Sequence, residues 1–342
     1  MKCLFLFALL ITSQIFHSQT LTAKVVDEKN EPLMGAEVYF DRTTRGVLTD
    51  LDGNFSIKVP PNLSNPKLVI RYLGYTPIEI EDVYGMKSVY QLMLKPEGLE
   101  NISVYTELFT RKQMERVFKK YFLGEGKAAK QAEILNLDDV ILYYVGKENT
   151  LYAESLTPIE VKNKFLGYNL TFDLTNFEVK YHTKTLNDRF LKQTYYEGTT
   201  FFKDINPNKT DQRKIVYQSS LTHFFKNLID STLHQTPYKI TYRGFFKEPY
   251  DAFNVEVPLD PEVNFCKINI NSDYIKTVNG KYTSTKFELQ HINQRTTIVF
   301  KKPSIKVDRR GNLIDIVDLV LSGSLANDRV AKLLPVNFTP LP

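Results

Sequence analysis

The chain has 342 residues, 42% hydrophobic and 24% charged, which excludes a disordered or fibrous protein and suggests two or three domains. Its 44 Lys and Arg against 39 Asp and Glu leave a formal charge of +5, too mixed for a nucleic-acid-binding surface. Beyond the N-terminus no apolar run reaches the roughly 20 residues that a membrane-spanning helix needs.

The N-terminus comes first. Met1-Lys2-Cys3 leads into a wholly apolar run at residues 4–11 and a more polar one at 12–19. One positive charge, a short apolar run and a polar exit predict a secretory signal peptide over residues 1–19. Its removal leaves Cys266 without a partner for an internal disulfide. Cys266 lies in an alternating run at 263–268 and reads as a small apolar strand residue.

Residues 20–97 hold short apolar-alternating runs at 22–26, 36–40, 46–49, 55–59, 68–72, 78–80 and 89–94. Turn residues stand between them, among them Pro32, Asp52-Gly53, Pro60 and Gly74. Short strands at this spacing predict an all-β sandwich. Asp52-Gly53 predicts a hairpin, because Gly tolerates the positive φ of a tight turn. Asp50, Asp52 and Asn54 alternate as the first ligands of a calcium loop would. Lys58 and Pro61 occupy later ligand positions, so a turn is expected rather than a metal site.

These residues also carry a family resemblance. The run 21–27, then Pro32-Leu33-Met34-Gly35-Ala36, then Gly46-Val47-Leu48-Thr49-Asp50-Leu51-Asp52-Gly53-Asn54-Phe55, then Leu73-Gly74-Tyr75 resemble the carboxypeptidase-like regulatory domain. The resemblance implies a seven-stranded, transthyretin-like sandwich, carrying no catalytic residue, of the kind found in exported proteins of Bacteroidota and ahead of TonB-dependent receptors.

A linker is expected at 98–110, with an edge strand at 102–105, and a β-rich α+β domain with about two amphipathic helices at 111–342. In the first helix, Met114, Val117, Phe118, Tyr121 and Phe122 fall on one stripe, and Gly124 stops it. Arg111, Lys112, Arg116, Lys119 and Lys120 make a solvated outer face. Strand-type runs follow at 140–145, 151–155, 159–166, 168–173, 177–183, 189–202, 238–246, 253–257, 265–271, 286–292 and 296–300. A second helix is predicted over 214–231 from Tyr217, Leu221, Phe224, Phe225 and Leu228. Tyr217, Ser220, His223, Phe224 and Leu228, with 122–124, 133–136, 166–168 and 329–335, resemble an uncharacterised family that joins this module to a further domain. The chain departs from it at Ser219, where a Gly would be expected.

Catalytic templates mostly fail. A zinc carboxypeptidase needs His-x-x-Glu, but His182, His223, His234 and His291 are followed three residues on by Thr185, Lys226, Pro237 and Gln294. Ser322-Gly323-Ser324 lacks the flanking glycines of a nucleophile elbow. Ser220 and His223, at i and i+3, are the one nucleophile–base candidate. The expectation is an exported, non-enzymatic envelope protein that binds a protein or glycan partner and needs no cofactor or metal. The alternatives are an envelope hydrolase with its site in the C-terminal domain, and a structural spacer.

Overall fold

The structure, a computed structural model, describes residues 19–60, 63, 66–95, 108–260 and 263–340. The predicted signal peptide, up to residue 18, and the predicted edge strand at 102–105 lie outside the described residues. The chain is mostly β, an N-terminal sandwich followed by a β-rich α+β region. Among the described residues no helix is long and apolar enough to cross a membrane, which says nothing of a β-barrel.

The first seven strands are β1 (Thr20–Val26), β2 (Glu37–Phe40), β3 (Gly46–Leu48), β4 (Asn54–Lys58), β5 (Leu68–Arg71), β6 (Ile78–Ile80) and β7 (Val89–Gln91). They form two sheets, ordered β4-β1-β7 and β3-β2-β5-β6. Alternation in β1 turns Leu21, Ala23 and Val25 inward, where they meet Val38, Phe40, Leu68 and Ile70 in one core. The predicted turn at Asp52-Gly53 is present, but the hairpin is not. β3 pairs with β2 and β4 with β1, so the chain crosses between the two sheets there. Gly53 has φ +76, and a Cβ on it would stand 2.4 Å from the Val25 carbonyl oxygen. The site therefore needs a bare backbone.

A second core follows. α1 (Arg111–Leu123) starts with a capping box between Thr110 and Gln113 and buries the whole predicted stripe. Phe118 stacks on Phe122 at 5.1 Å and meets Phe177 edge-on at 4.9 Å. α2 (Gly126–Lys130) leads to β8 (Ala132–Ile134), β9 (Val140–Val145), β10 (Thr150–Ser155), β11 (Ile159–Asn163), β12 (Tyr168–Tyr181) and β13 (Leu191–Asp204). Their sheet order is β8-β11-β12-β10-β9, with β13 along the other edge of β12. The runs read separately at 168–173 and 177–183 are largely one long strand, β12, with a register shift between Leu174 and Asn176.

The helix predicted over 214–231 is two helices, α3 (Thr210–Gln218) and α4 (Leu221–Ile229). Ser219 donates back to the Ile215 and Val216 carbonyls, and Ser220 takes an extended φ/ψ of −90°/160°. Serine side chains compete with the helix ladder in this way and favour caps over interiors.

A third core joins α4 to two sheets. One has the order β15-β14-β20-β21-β23 and the other β16-β17-β22. The strands are β14 (Tyr238–Tyr242), β15 (Phe245–Lys247), β16 (Phe253–Glu256), β17 (Phe265–Ile270), β20 (Thr285–His291), β21 (Gln294–Phe300), β22 (Ser304–Asp308) and β23 (Leu319–Gly323). The short α5 (Pro249–Ala252) and the hairpin β18 (Thr277–Val278)–β19 (Lys281–Tyr282) complete the region. Five α-helices are therefore described where about two were expected, because one is divided and two are five residues or shorter. Cys266 is fully buried in β17, and burial pushes its thiol pKa up.

The N-terminal sandwich is bound to β13 by backbone hydrogen bonds and to β12 by charge. Arg42 donates its amide to the Thr200 carbonyl at 2.7 Å, and Phe202 donates to the Thr43 carbonyl at 3.0 Å. Arg71, 8% exposed, reaches across to Asp173 at 2.9 Å and also holds Glu37. The Tyr39 hydroxyl donates to the same Asp173 carboxylate at 3.0 Å. Removing one member of a largely buried pair strands the other. Arg71→Met is thus expected to cost about 2 kcal/mol in urea unfolding. A variant as stable as the parent would show that this junction contributes nothing.

Candidate functional site

The turn between α3 and α4 forms one wall of a groove of about 380 Å³. Tyr217 and Leu221 line it from the helices, Leu321 and Leu325 from the third core, and Leu333 to Val336 with Phe338 from the C-terminal segment. Arg42 of the N-terminal sandwich reaches its rim. The second and third cores therefore meet at one mostly apolar cleft, with Arg42 added from the first module, the usual setting for a ligand site.

Cations surround the groove: Arg42, Lys226, Arg310, Arg329 and Lys332, with Asp328 as the acid among the lining residues. Several are held. Lys226 pairs with Asp230, Lys332 with Asp328, and Arg329 donates to the Thr194 hydroxyl at 2.6 Å. Burial pushes the Asp328 carboxyl upward against the pull of Lys332. Near the turn stand Tyr217, Thr222 and Asn312, groups able to orient a ligand without transferring a proton at neutral pH. The Tyr217 ring is caught between the His223 ring at 5.1 Å and the Phe338 ring at 6.1 Å.

Ser220 and His223 are adjacent, but their contact is a helix cap. Ser220 Oγ accepts the His223 backbone amide at 3.1 Å and donates to the Tyr217 carbonyl at 2.7 Å. The imidazole lies on the other side of this arrangement, against Tyr217 and Tyr238. Its buried Nδ1 has no hydrogen-bond partner among the described residues. Tyr238 donates its hydroxyl to the Gln218 and Ser220 carbonyls, at 3.0 and 2.9 Å, and so fixes the turn.

His223 and His291 flank Tyr238, with ring centroids 5.8 and 4.4 Å from it. Burial lowers both imidazole pKa values below the ordinary 6.5; at His223 a backbone hydrogen bond to Gln218 opposes the shift and the His291 ring adds to it. A histidine with a depressed folded pKa is protonated first in the unfolded chain. Stability from these two is therefore intact above about pH 6.5 and falls as the pH drops below it. Thermal melts across pH 7.5–5 are expected to show this fall, and His223→Gln/His291→Gln to flatten it. An unchanged slope would remove the two rings as its cause.

Asp50, Asp52 and Asn54 do come together, as a turn. Asp50 Oδ1 accepts the amides of Asp52 at 3.0 Å and Asn54 at 2.8 Å. Among the described residues no group of three or more His, Cys, Asp or Glu is placed to hold a metal ion.

Sequence reasoning missed most of the groove. Residues 310–313 enter it from the turn after β22, and the C-terminal segment closes it. The run 329–335 carries a family resemblance and Arg310-Gly311-Asn312 clear turn chemistry, but nothing in either run announces that they meet.

Known proteins place one part of this architecture. Residues 21–104, about a quarter of the chain and the whole of the described sandwich, match the family model of the CarboxypepD_reg-like domain. The chain is also similar to the TonB-dependent receptor SusC of Bacteroides thetaiotaomicron, 37% identical over 65 residues. That stretch is 18% of this chain and spans only 6% of the receptor.

Proposed function

We propose that this is an exported protein of the Bacteroidota cell envelope that works by contact, as a non-catalytic binding module for a protein or glycan partner. The observation that carries the reading is the CarboxypepD_reg-like domain at 21–104. The partial likeness to a TonB-dependent receptor supports it. In this reading residues 20–97 are the module, 98–110 a linker, and 111–342 the region that meets the partner, with the groove as its contact site.

The chemistry around the groove agrees with binding. The Ser220 hydroxyl is committed to capping α4, and the His223 ring is not its partner. A nucleophile needs a base within hydrogen-bond reach of its own oxygen.

A photoreactive amino acid at Leu321, half-buried on the groove wall, tests the proposal. In cells it is expected to give one defined adduct, absent when the probe sits at the exposed Leu51 of the first module, which does not line the groove. Turnover of ester, peptide or glycoside substrates that disappears in a folded Ser220→Ala variant would replace this reading with the hydrolase.

A further inference from the structure

One end of the third core carries two projecting hairpins. β20 runs from Thr285, at this end, to His291, whose ring packs on the Tyr238 that holds the α3–α4 turn. The hairpins therefore lie at the end away from the groove. The first is β14–β15, turning at Arg243-Gly244 with φ of +52 and +83. The second is β18–β19, turning at Asn279-Gly280 with φ of +51 and +72. Two successive positive φ values match the twist of a two-residue hairpin. Tyr274, three residues before β18, packs against the first hairpin. It packs 5.0 Å from the Tyr242 ring, and Lys247 Nζ stands 6.0 Å over it.

The tips are apolar. Phe245 is 72% exposed, Phe246 55% and Val278 61%. Neighbouring residues on a strand point to opposite faces. Phe245 and Phe246 thus expose aromatic surface on both sides of one hairpin. A flat protein surface would cover one side of it. The boundary between lipid headgroups and acyl chains surrounds both, and aromatic rings are favoured there.

Charge points the same way. Residues 242–248 and 273–283 carry Arg243, Lys247, Lys276 and Lys281 against Glu248 and Asp273, so cations outnumber carboxylates four to two. Nearby Lys302 is tied to Asp318 at 2.8 Å and is not counted among them. Arg243 holds a left-handed backbone conformation where Asn or Gly is usual, so the tip breaks a local rule. Such exceptions gather at functional positions.

We propose that these hairpins dock the protein on an anionic lipid surface. Phe245 and Phe246 enter the headgroup–acyl boundary, and the four cations meet lipid phosphates. This orients the groove away from the bilayer.

The test uses the chain from residue 19 onward, which holds every described residue. It is sedimented with vesicles of phosphatidylcholine alone, or of phosphatidylcholine and phosphatidylglycerol in equal parts. Binding to the mixed vesicles is expected to exceed that to phosphatidylcholine by about tenfold or more and to weaken with salt. Phe245→Ser/Phe246→Ser, exposed changes with little effect on folding, is expected to lose about tenfold. Lys276→Gln/Lys281→Gln is expected to lose a similar amount, on the mixed vesicles alone. Equal binding to both vesicles, or binding untouched by the phenylalanine changes at unaltered circular dichroism, would overturn the proposal. So would a parent dimer that the same changes dissociate, since the patch would then belong to a second copy.

Discussion

Replacing Arg213 with alanine is expected to lower the free energy of unfolding by about 3–5 kcal/mol, measured by urea denaturation. Arg213 leaves α3 and is 5% exposed. Its Nε donates to the Leu166 carbonyl at 2.8 Å, and Nη2 to the Gly167 and Asn206 carbonyls at 3.2 and 3.1 Å. Both terminal nitrogens grip Asp204, at 2.8 and 2.9 Å. The guanidinium lies 3.8 Å over the Tyr168 ring. One side chain thus ties α3 to both strands at the end of the β12–β13 pair where Tyr168 faces Asp204. Alanine leaves the Leu166 carbonyl without its donor and the Asp204 carboxylate without its cation, while the Gly167 and Asn206 carbonyls keep backbone amides. Lysine is expected to recover little, since an ammonium lacks the planar fork that fits this set and cannot stack as a guanidinium does. The grip also holds the Asp204 carboxyl below its ordinary 3.8. That contribution is present above about pH 3.8 and is lost as the pH falls through the lowered value. An Arg213→Lys protein as stable as the parent would show that charge alone, not fork geometry, is what counts there.

Gly311→Ala is the second large effect, expected to cost about 2–4 kcal/mol. Gly311 has φ +92, in the region that favours glycine, and a Cβ on it would stand 2.1 Å from the Thr222 carbonyl oxygen and 2.7 Å from the Lys226 amide. The turn after β22 therefore presses bare backbone onto the backbone of α4. Asp308 sets that turn, accepting the Arg310 and Asn312 amides at 2.8 Å each. Because Gly311, Asn312 and Leu313 also line the groove, the substitution is expected to widen it as well as to weaken the fold. Crosslinking from Leu321 in the Gly311→Ala protein, at a temperature where it stays folded, is expected to fall. Full stability would mean that α4 yields easily and that the close approach is incidental.

The local rules were legible where one residue type has one job. The stripe of Met114, Val117, Phe118, Tyr121 and Phe122 is the buried face of α1, since only that face meets β12. The bounds of β9 were read without error because its alternation is strict and its ends are turns. Where two uses compete, the reading slipped. Ser219 and Ser220 interrupt an apolar period that continues across them, so one helix was expected where a cap divides two. Arg243-Gly244 was passed over within the run 238–246 because Arg is an unusual residue for a left-handed turn. Asp52-Gly53 gave the turn but not the partners of the strands it joins, since pairing is decided by the far side of the sandwich.

The groove was the least legible feature. Its walls come from residues near 42, 217–226, 310–325 and 328–340, which no periodicity links. The contact between Ser220 and His223 was foreseen from their spacing, but that spacing serves a cap and a base equally well. The direction of the His223 ring, set by Tyr217 and Tyr238, decides between them.

Export is the premise on which every extracytoplasmic partner depends, and cell fractionation tests it most directly. The full chain and a chain lacking residues 1–19 are expressed in a Bacteroidota host. The full chain is expected in the envelope fractions, and the shortened chain, equally folded, in the cytosol. Recovery of both from the cytosol would contradict the account.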